Sequence, residues 1–253
     1  MGHRKHILWE KWEPSVYLKT YFSKIGPDTY ETIRFIHEEL SQFNKNTFNK
    51  VLDFGAGPTV IIALLVAPYA KKVHLAEYLD INLNEIDKWI KDHPKAFSWD
   101  HCIHNILTIE GGAPNLQTIK KRAQELRRKS ILFECDAALT WPLGEKHKNY
   151  PLIISAFCAD SSTSSKRIWR KYMFNILRLV GPNGHIFLAC LRKCKKYKVG
   201  SHEFPSANIN EVDVLKVLNE AGFKNEKIKI KICPTPECIK EGFSSIILAR
   251  ASR

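Results

Sequence analysis

No apolar run in this 253-residue chain approaches the ~20 residues that a membrane span requires. The longest stretch, Val60 to Pro68, falls far short, and residues 1–20 lack the apolar core of a secretory signal, so the expectation is a cytoplasmic protein that does not enter a membrane. Cysteine pairing is also missing. The seven cysteines, Cys102, Cys135, Cys158, Cys190, Cys194, Cys233 and Cys238, are odd in number and scattered, which argues against a disulfide framework. The Cys190/Cys194 and Cys233/Cys238 pairs are spaced more widely than the C-x-x-C pairs of a zinc site. They read as reduced thiols, and no metal is expected. Internal repeats and low-complexity tracts are absent, and Gly and Pro number only 12 each. Acid is scarce relative to base: 26 Asp+Glu against 39 Lys+Arg leaves a net charge of +13. That excess attracts anions, whether nucleic acid, an acidic membrane or a small ligand, without choosing among them. What is plentiful is core material. With 44% hydrophobic and 26% charged residues, the chain can bury a full core as one compact unit.

The hydrophobic periodicity changes along the chain. Tyr17–Phe22 and Tyr30–Phe43 read as helices separated by Gly26-Pro27-Asp28, so residues 1–50 form an expected N-terminal helical lid. From Val51 onward short apolar runs alternate with amphipathic stretches. Strands are expected over 51–54, 73–78, 131–135, 152–156 and 185–191, and helices over 59–67, 82–91, 119–129, 168–179 and 212–221. The last strands, 227–233 and 244–250, read as an antiparallel edge pair. The fold class implied for residues 51–253 is α/β: a Rossmann-like, doubly wound, mostly parallel seven-stranded sheet. The basic run within Lys120–Lys129 lies on an amphipathic helix, either as a solvated face or as an RNA contact.

Chemistry concentrates at strand ends. Val51-Leu52-Asp53-Phe54-Gly55-Ala56-Gly57-Pro58-Thr59 puts two glycines where an open α/β sheet binds ligands, but no third glycine follows, as a dinucleotide fingerprint would require. Glu77 ends the second strand, where a carboxylate can accept from both ribose hydroxyls. Cys135-Asp136-Ala137 ends the third, where an acid can accept from an adenine amino group. Three acids around a glycine loop suit S-adenosylmethionine, which carries an ammonium and a sulfonium and no phosphate.

These motifs sit in a longer ordered series. It includes Trp12-Glu13-Pro14-Ser15-Val16-Tyr17-Leu18-Lys19-Thr20-Tyr21-Phe22, the glycine segment, and Glu77-Tyr78-Leu79-Asp80-Ile81-Asn82. Lys88-Trp89-Ile90-Lys91-Asp92-His93-Pro94-Lys95-Ala96-Phe97-Ser98-Trp99, Glu110-Gly111, Cys135-Asp136 and Pro142-Leu143 follow. Together they resemble the family of nicotinamide, phenylethanolamine and indolethylamine N-methyltransferases and the thioether S-methyltransferase. The resemblance implies an S-adenosylmethionine-dependent enzyme with S-adenosylhomocysteine as product. By the same resemblance the cofactor is held by Tyr17, Tyr21, Gly55, Gly57, Thr59, Glu77, Tyr78, Asn82, Asp136, Ala137 and Ala156, with Asp53 supporting the glycine loop. Tyr21, Phe22, Cys158, Asp160, Cys190 and Tyr197 border the acceptor, with Tyr17 and Asp160 as catalytic candidates. Cys190 stands where family members that bind nicotinamide or cationic amines carry an acid, and a thiol cannot pair with an ammonium as an acid does. The basic stretch Arg192–Lys198 is either an exposed loop or the mark of an acceptor bearing a carboxylate or phosphate.

Methyl transfer is an in-line displacement that depends on holding nucleophile, methyl carbon and sulfur collinear in a closed site. The leading expectation is a monomeric small-molecule N-methyltransferase, with a small-molecule acceptor and no nucleic-acid partner. Two readings compete with it. In one, S-adenosylmethionine reacts intramolecularly without an acceptor, as in a cyclase or lyase. In the other, the chain is an RNA-directed or catalytically idle binding module.

Overall fold

A computed structural model describes residues 9–253; the first eight residues of the expected lid lie outside the described ones. The chain runs α1 (Pro14–Phe22), α2 (Pro27–Leu40), β1 (Val51–Phe54), α3 (Ile61–Val66), β2 (Val73–Glu77), α4 (Asp80–Ile90), α5 (Asp100–Ile109), α6 (Leu116–Lys129) and β3 (Ser130–Glu134). It continues through β4 (Tyr150–Ala156), α7 (Lys166–Leu177), β5 (Val180–Leu191), β6 (Lys196–Val199), β7 (His202–Pro205), α8 (Glu211–Glu220), β8 (Ile228–Pro234) and β9 (Ser245–Ser252).

Seven strands make one sheet in the order β3-β2-β1-β4-β5-β9-β8. β1 pairs in parallel with β2 and β4, β2 with β3, and β4 with β5. β9 runs antiparallel to both β5 and β8. The α/β class and the antiparallel edge pair agree with the sequence reading. β1 is buried along its whole length, as expected of a central parallel strand covered on both faces. Helices α2 to α6 pack one face, around Leu64, Ile86, Trp99, Ile103 and Leu126; α7 and α8 pack the other, around Trp169, Met173, Ile176, Val214 and Leu218. The strand order reverses between β1 and β4, so their carboxyl ends open a crevice where such sheets bind ligands.

Three differences from the sequence reading bear on the site. α5 was not expected; it carries Cys102, Ile103 and Ile106 into the core, and His101 Nε2–H donates to the Phe22 carbonyl at 2.7 Å, tying α1 down. The basic stretch after Leu191 is the hairpin β6–β7, with Tyr197 and Val199 buried and Lys196 and Lys198 exposed. The turn Gly181–Gly184 lies inside the span of β5, where the register with β4 shifts between Tyr150 and Leu152.

Much of the basic helix α6 is engaged within the fold. Arg122 is buried and bidentate to Glu110, Arg127 pairs with Asp92, and Lys129 reaches Glu125 and the Ala67 carbonyl. Among the described residues no helix is long and apolar enough to cross a membrane, and no cluster of His, Cys, Asp and Glu is arranged to hold a metal ion.

Candidate active site

The crevice forms a cavity of about 370 Å³, within the usual range for a small-molecule site. Its floor is the glycine turn after β1. Gly55 and Gly57 have φ of +75° and +61°, a region that suits glycine. Gly55 also lacks room for a side chain, because a Cβ there would lie 2.1 Å from Cys158 Sγ. The backbone N–H groups of Gly55 and Ala56 donate to the Ala76 carbonyl at 2.8 and 3.0 Å. Gly57 N–H donates to Glu77 Oε2 at 2.9 Å, and Thr59 Oγ1 closes the turn onto the Ala56 carbonyl at 2.8 Å.

Glu77 is the hub of this region. Its Oε1 accepts from Leu79 N–H and Asn82 Nδ2, both at 3.0 Å, while Asn82 Oδ1 accepts from Trp12 Nε1–H at 2.8 Å. A continuous chain of hydrogen bonds therefore runs from the N-terminal segment through α4 to the glycine turn. Asp53, at the end of β1, is 2% exposed and its Oδ2 has no hydrogen-bond partner among the described residues. Burial, reinforced by the Glu77 charge, pushes its carboxyl up to about 8. Asp136 follows β3 and accepts from Ala138 N–H at 2.8 Å, while Asn175 of α7 fixes the Ala137 carbonyl.

Aromatic rings roof the cavity. Tyr17 lies 4.9 Å from Trp12, 5.2 Å from Tyr21 and 5.7 Å from Phe22, centroid to centroid. Tyr21 donates its hydroxyl to the Lys198 carbonyl at 2.6 Å, joining α1 to the β6–β7 hairpin. Burial raises the Tyr17, Tyr21 and Tyr197 hydroxyls, with nearby acids and tyrosines adding to the effect. All three stay neutral, so the roof is apolar.

The cavity gathers most of the residues singled out from sequence: Tyr17, Tyr21, Phe22, Asp53, Gly55, Gly57, Thr59, Glu77, Tyr78, Asn82, Asp136, Ala137, Ala156, Cys158 and Tyr197 all line it. Two do not, Asp160 and Cys190. Asp160 is 1% exposed; its Oδ2 accepts from Leu191 N–H at 2.8 Å, and its carbonyl accepts from Ala207 N–H at 2.8 Å. It joins the turn after β4 to β5 and to the segment leading into α8, which uses its carboxylate internally. Burial, offset in part by these hydrogen bonds, moves that carboxyl up to about 6. The Cys190 thiol lies against Asp160 in the core beneath α7 and α8, because alternation along β5 turns Leu191, not Cys190, to the cavity. The basic stretch contributes no cation either, since among the described residues no Lys, Arg or His lines the cavity. Its lysines are exposed on the hairpin, and Arg192 pairs with Glu211. The expectation of a carboxylate- or phosphate-bearing acceptor therefore finds no charge partner among the described residues.

The sequence reading missed the α2 side of the wall, comprising Asp28, Thr29, Thr32 and Ile33, together with Tyr172 and Phe243. Asp28 follows Gly26-Pro27 and was read as punctuation between helices. Proline at the first position of α2, with an acid behind it, is also how a helix begins.

The NNMT/PNMT/TEMT family matches residues 4–242 of the chain. Among curated relatives, pig nicotinamide N-methyltransferase is 28% identical over 185 residues, 71% of this chain and 68% of that protein. Rabbit indolethylamine N-methyltransferase is 26% identical over 241 residues, 89% of this chain and 86% of its own. Among solved structures, the N-methyltransferase NodS from Bradyrhizobium japonicum, in complex with S-adenosylhomocysteine, aligns with a TM-score of 0.53 at 14% identity, covering 91% of this chain and 89% of that one. The DhpI-SAM-HEP complex aligns with a TM-score of 0.57 at 10% identity, covering 95% and 92%. At such identities the structural likeness speaks to the fold.

Proposed function

This chain belongs to the NNMT/PNMT/TEMT family, and from that premise we propose how its cavity carries out S-adenosylmethionine-dependent methyl transfer to the nitrogen of a small molecule. The observation that carries the reading is the composition of the wall: acids at the carboxyl ends of β1, β2 and β3, a glycine turn, an aromatic roof and, among the described residues, no basic side chain. A cationic, phosphate-free cofactor suits that wall. Asp53 stands buried at the start of the glycine turn with its Oδ2 unpartnered among the described residues, and Glu77 and Asp136 present carboxylates to ribose hydroxyls and an adenine amino group.

When bound, the cofactor supplies an activated methyl group; the chain supplies position and dryness. Tyr17, Tyr21 and Phe22 close over the site, and Trp12 locks Asn82 and Glu77 from the same side, excluding water that would compete with the acceptor. The positive charge disperses as the methyl moves, which suits an uncharged aromatic roof. An amine acceptor must be neutral when it attacks. With Asp160 turned into the core, the proton it sheds has to go to a group on the cavity wall or to water. A monomeric state and a cytoplasmic location belong to the same proposal and are read by sedimentation and by cell fractionation.

The test is to incubate the purified protein with S-adenosylmethionine, alone and with pooled small amines, pyridines and thioethers, and to follow products by mass spectrometry. S-adenosylhomocysteine together with an amine heavier by one methylene is the expected result. Methylthioadenosine formed without any acceptor would replace methyl transfer with intramolecular chemistry.

A further inference from the structure

Four carboxylates line the cavity: Asp28, Asp53, Glu77 and Asp136. Three of them stand at strand ends around the glycine turn. Asp28 comes from elsewhere, the first turn of α2, and is 7% exposed. Among the described residues its surroundings hold no cation. Its polar contacts are backbone N–H groups of its own turn and the Cys238 thiol, 3.8 Å from Oδ1, and the titratable groups around it are another acid, Glu241, and the Tyr17 and Tyr21 hydroxyls. Glu241 Oε2 is itself buried without a hydrogen-bond partner among the described residues. A carboxylate desolvated in this way is costly unless something positive or proton-donating meets it. The carboxyl accordingly rises above its ordinary range through burial.

The position of Asp28 separates it from the three strand-end acids. The turn that carries Cys238 and Glu241 packs against both α2 and β6, so Asp28 sits on the side of the cavity bounded by Tyr21, Tyr197 and Phe243. Aromatic faces next to a buried carboxylate form a pocket for an ammonium, one by charge and the others through their π-faces. Cys190 and Asp160, on the side where an acceptor acid was expected from sequence, are turned into the core.

We propose that Asp28 is the acid that binds the amino group of the methyl acceptor, which places a small organic amine in the Tyr21–Tyr197–Phe243 end of the cavity. This rests on the methyl-transfer reading above. An acceptor entering as an ammonium passes one proton to the Asp28 carboxylate, giving a carboxylic acid and a neutral amine. The amine's freed lone pair then forms the bond to the methyl carbon as the methyl–sulfur bond breaks, its electron pair staying on sulfur.

The test uses 2-phenylethylamine as probe, the full-length protein and two variants, Asp28→Asn and Gly26→Ala. The second leaves the carboxylate in place but crowds it, because a Cβ on Gly26 would lie 2.7 Å from Asp28 Oδ1. Calorimetry measures S-adenosylhomocysteine binding, then amine binding to that complex, and mass spectrometry measures methylation. The expected result is amine affinity reduced about tenfold or more in Asp28→Asn, as loss of a charged hydrogen bond implies, and reduced in Gly26→Ala. S-adenosylhomocysteine affinity should stay near that of the unmodified protein. Equal amine affinity in all three proteins, or no amine binding by the unmodified complex, overturns the proposal. Weakened S-adenosylhomocysteine binding with unchanged amine affinity also overturns it, by assigning Asp28 to the cofactor. Failure of the unmodified protein to methylate any amine, pyridine or thioether overturns the methyl-transfer reading instead, while the calorimetric comparison still decides the role of Asp28 in binding amines.

Discussion

Replacing Asp53 with Asn should make the cofactor-free protein more stable at alkaline pH while weakening its hold on the cofactor. The Asp53 carboxyl is pushed from an ordinary 3.8 up to about 8 by burial and by the Glu77 charge. Between these values the unfolded chain carries an ionised Asp53 and the folded chain a protonated one. The folded state therefore loses stability as pH rises from the unfolded value through the folded one, and loses no more above it. At 1.36 kcal/mol per pKa unit the full loss is on the order of 5 kcal/mol, an upper bound because water and neighbouring dipoles relax around a charge that borders a cavity. If about 2 kcal/mol survives relaxation, the midpoint of a chain this size moves by roughly 4–8 °C. Asn escapes this penalty at every pH. The assay is thermal unfolding of both proteins without cofactor from pH 5 to pH 8.5, with calorimetric S-adenosylhomocysteine binding alongside. The midpoint of Asp53→Asn minus that of the unmodified protein should grow more positive toward pH 8.5, and its affinity should fall. A difference that does not vary with pH would refute the reasoning, because it would mean that Asp53 carries no shifted proton.

Gly55→Ala should abolish cofactor binding and lower the thermal midpoint, since its Cβ would clash with Cys158 and its φ of +75° disfavours any side chain; an Ala variant that binds S-adenosylhomocysteine normally would show that the turn can shift. Trp12→Phe keeps the ring but removes the donor to Asn82 Oδ1. About 1 kcal/mol, or roughly fivefold in cofactor affinity, should go with it, as read by calorimetry. Cys190→Asp places a second carboxylate against Asp160 in the core. It should cost about 2 kcal/mol or more in thermal or urea unfolding and bring no gain in amine methylation, whereas a gain would mean that the residue reaches the cavity.

The central strands were legible because burial and glycine punctuation left only one reading of Val51–Phe54 and Val73–Glu77, and the acids at their ends follow from the same topology. α5 was not legible, because its core-facing residues, Cys102, Ile103 and Ile106 with Leu107 and Ile109 beside them, are interrupted by two histidines that break the visible pattern. The β6–β7 hairpin was hidden by its lysines, although Tyr197 and Val199 alternate with them as an amphipathic strand should. Asp28 could not be recognised as part of the cavity wall, since nothing local in Gly26-Pro27-Asp28 tells a turn from a helix start facing a cavity. The facing of Cys190 hangs on a single step of strand register. The alternation through His185–Leu191 is apolar on both sides, so periodicity does not tell which face meets the ligand.

The surface and the cavity carry opposite charge, and this bears on how ligands enter. A chain with a net charge of +13 repels a cationic ligand at long range, and salt within the Debye length weakens that repulsion. Inside, among the described residues, every lining charge is acidic and no basic side chain answers it, so selection for cations happens only after entry. The N-terminal segment is held by hydrogen bonds between uncharged groups, Trp12 to Asn82 and Tyr21 to the Lys198 carbonyl. Neither Trp12 nor Tyr21 can ionise in the ordinary pH range, and their partners lie on separate parts of the wall, α4 and the β6–β7 hairpin. These contacts thus tie the N-terminal segment to two sides of the cavity. Raising ionic strength should speed the entry of cations while leaving these contacts nearly unchanged, because screening acts on the exposed lysines and not on hydrogen bonds between uncharged groups.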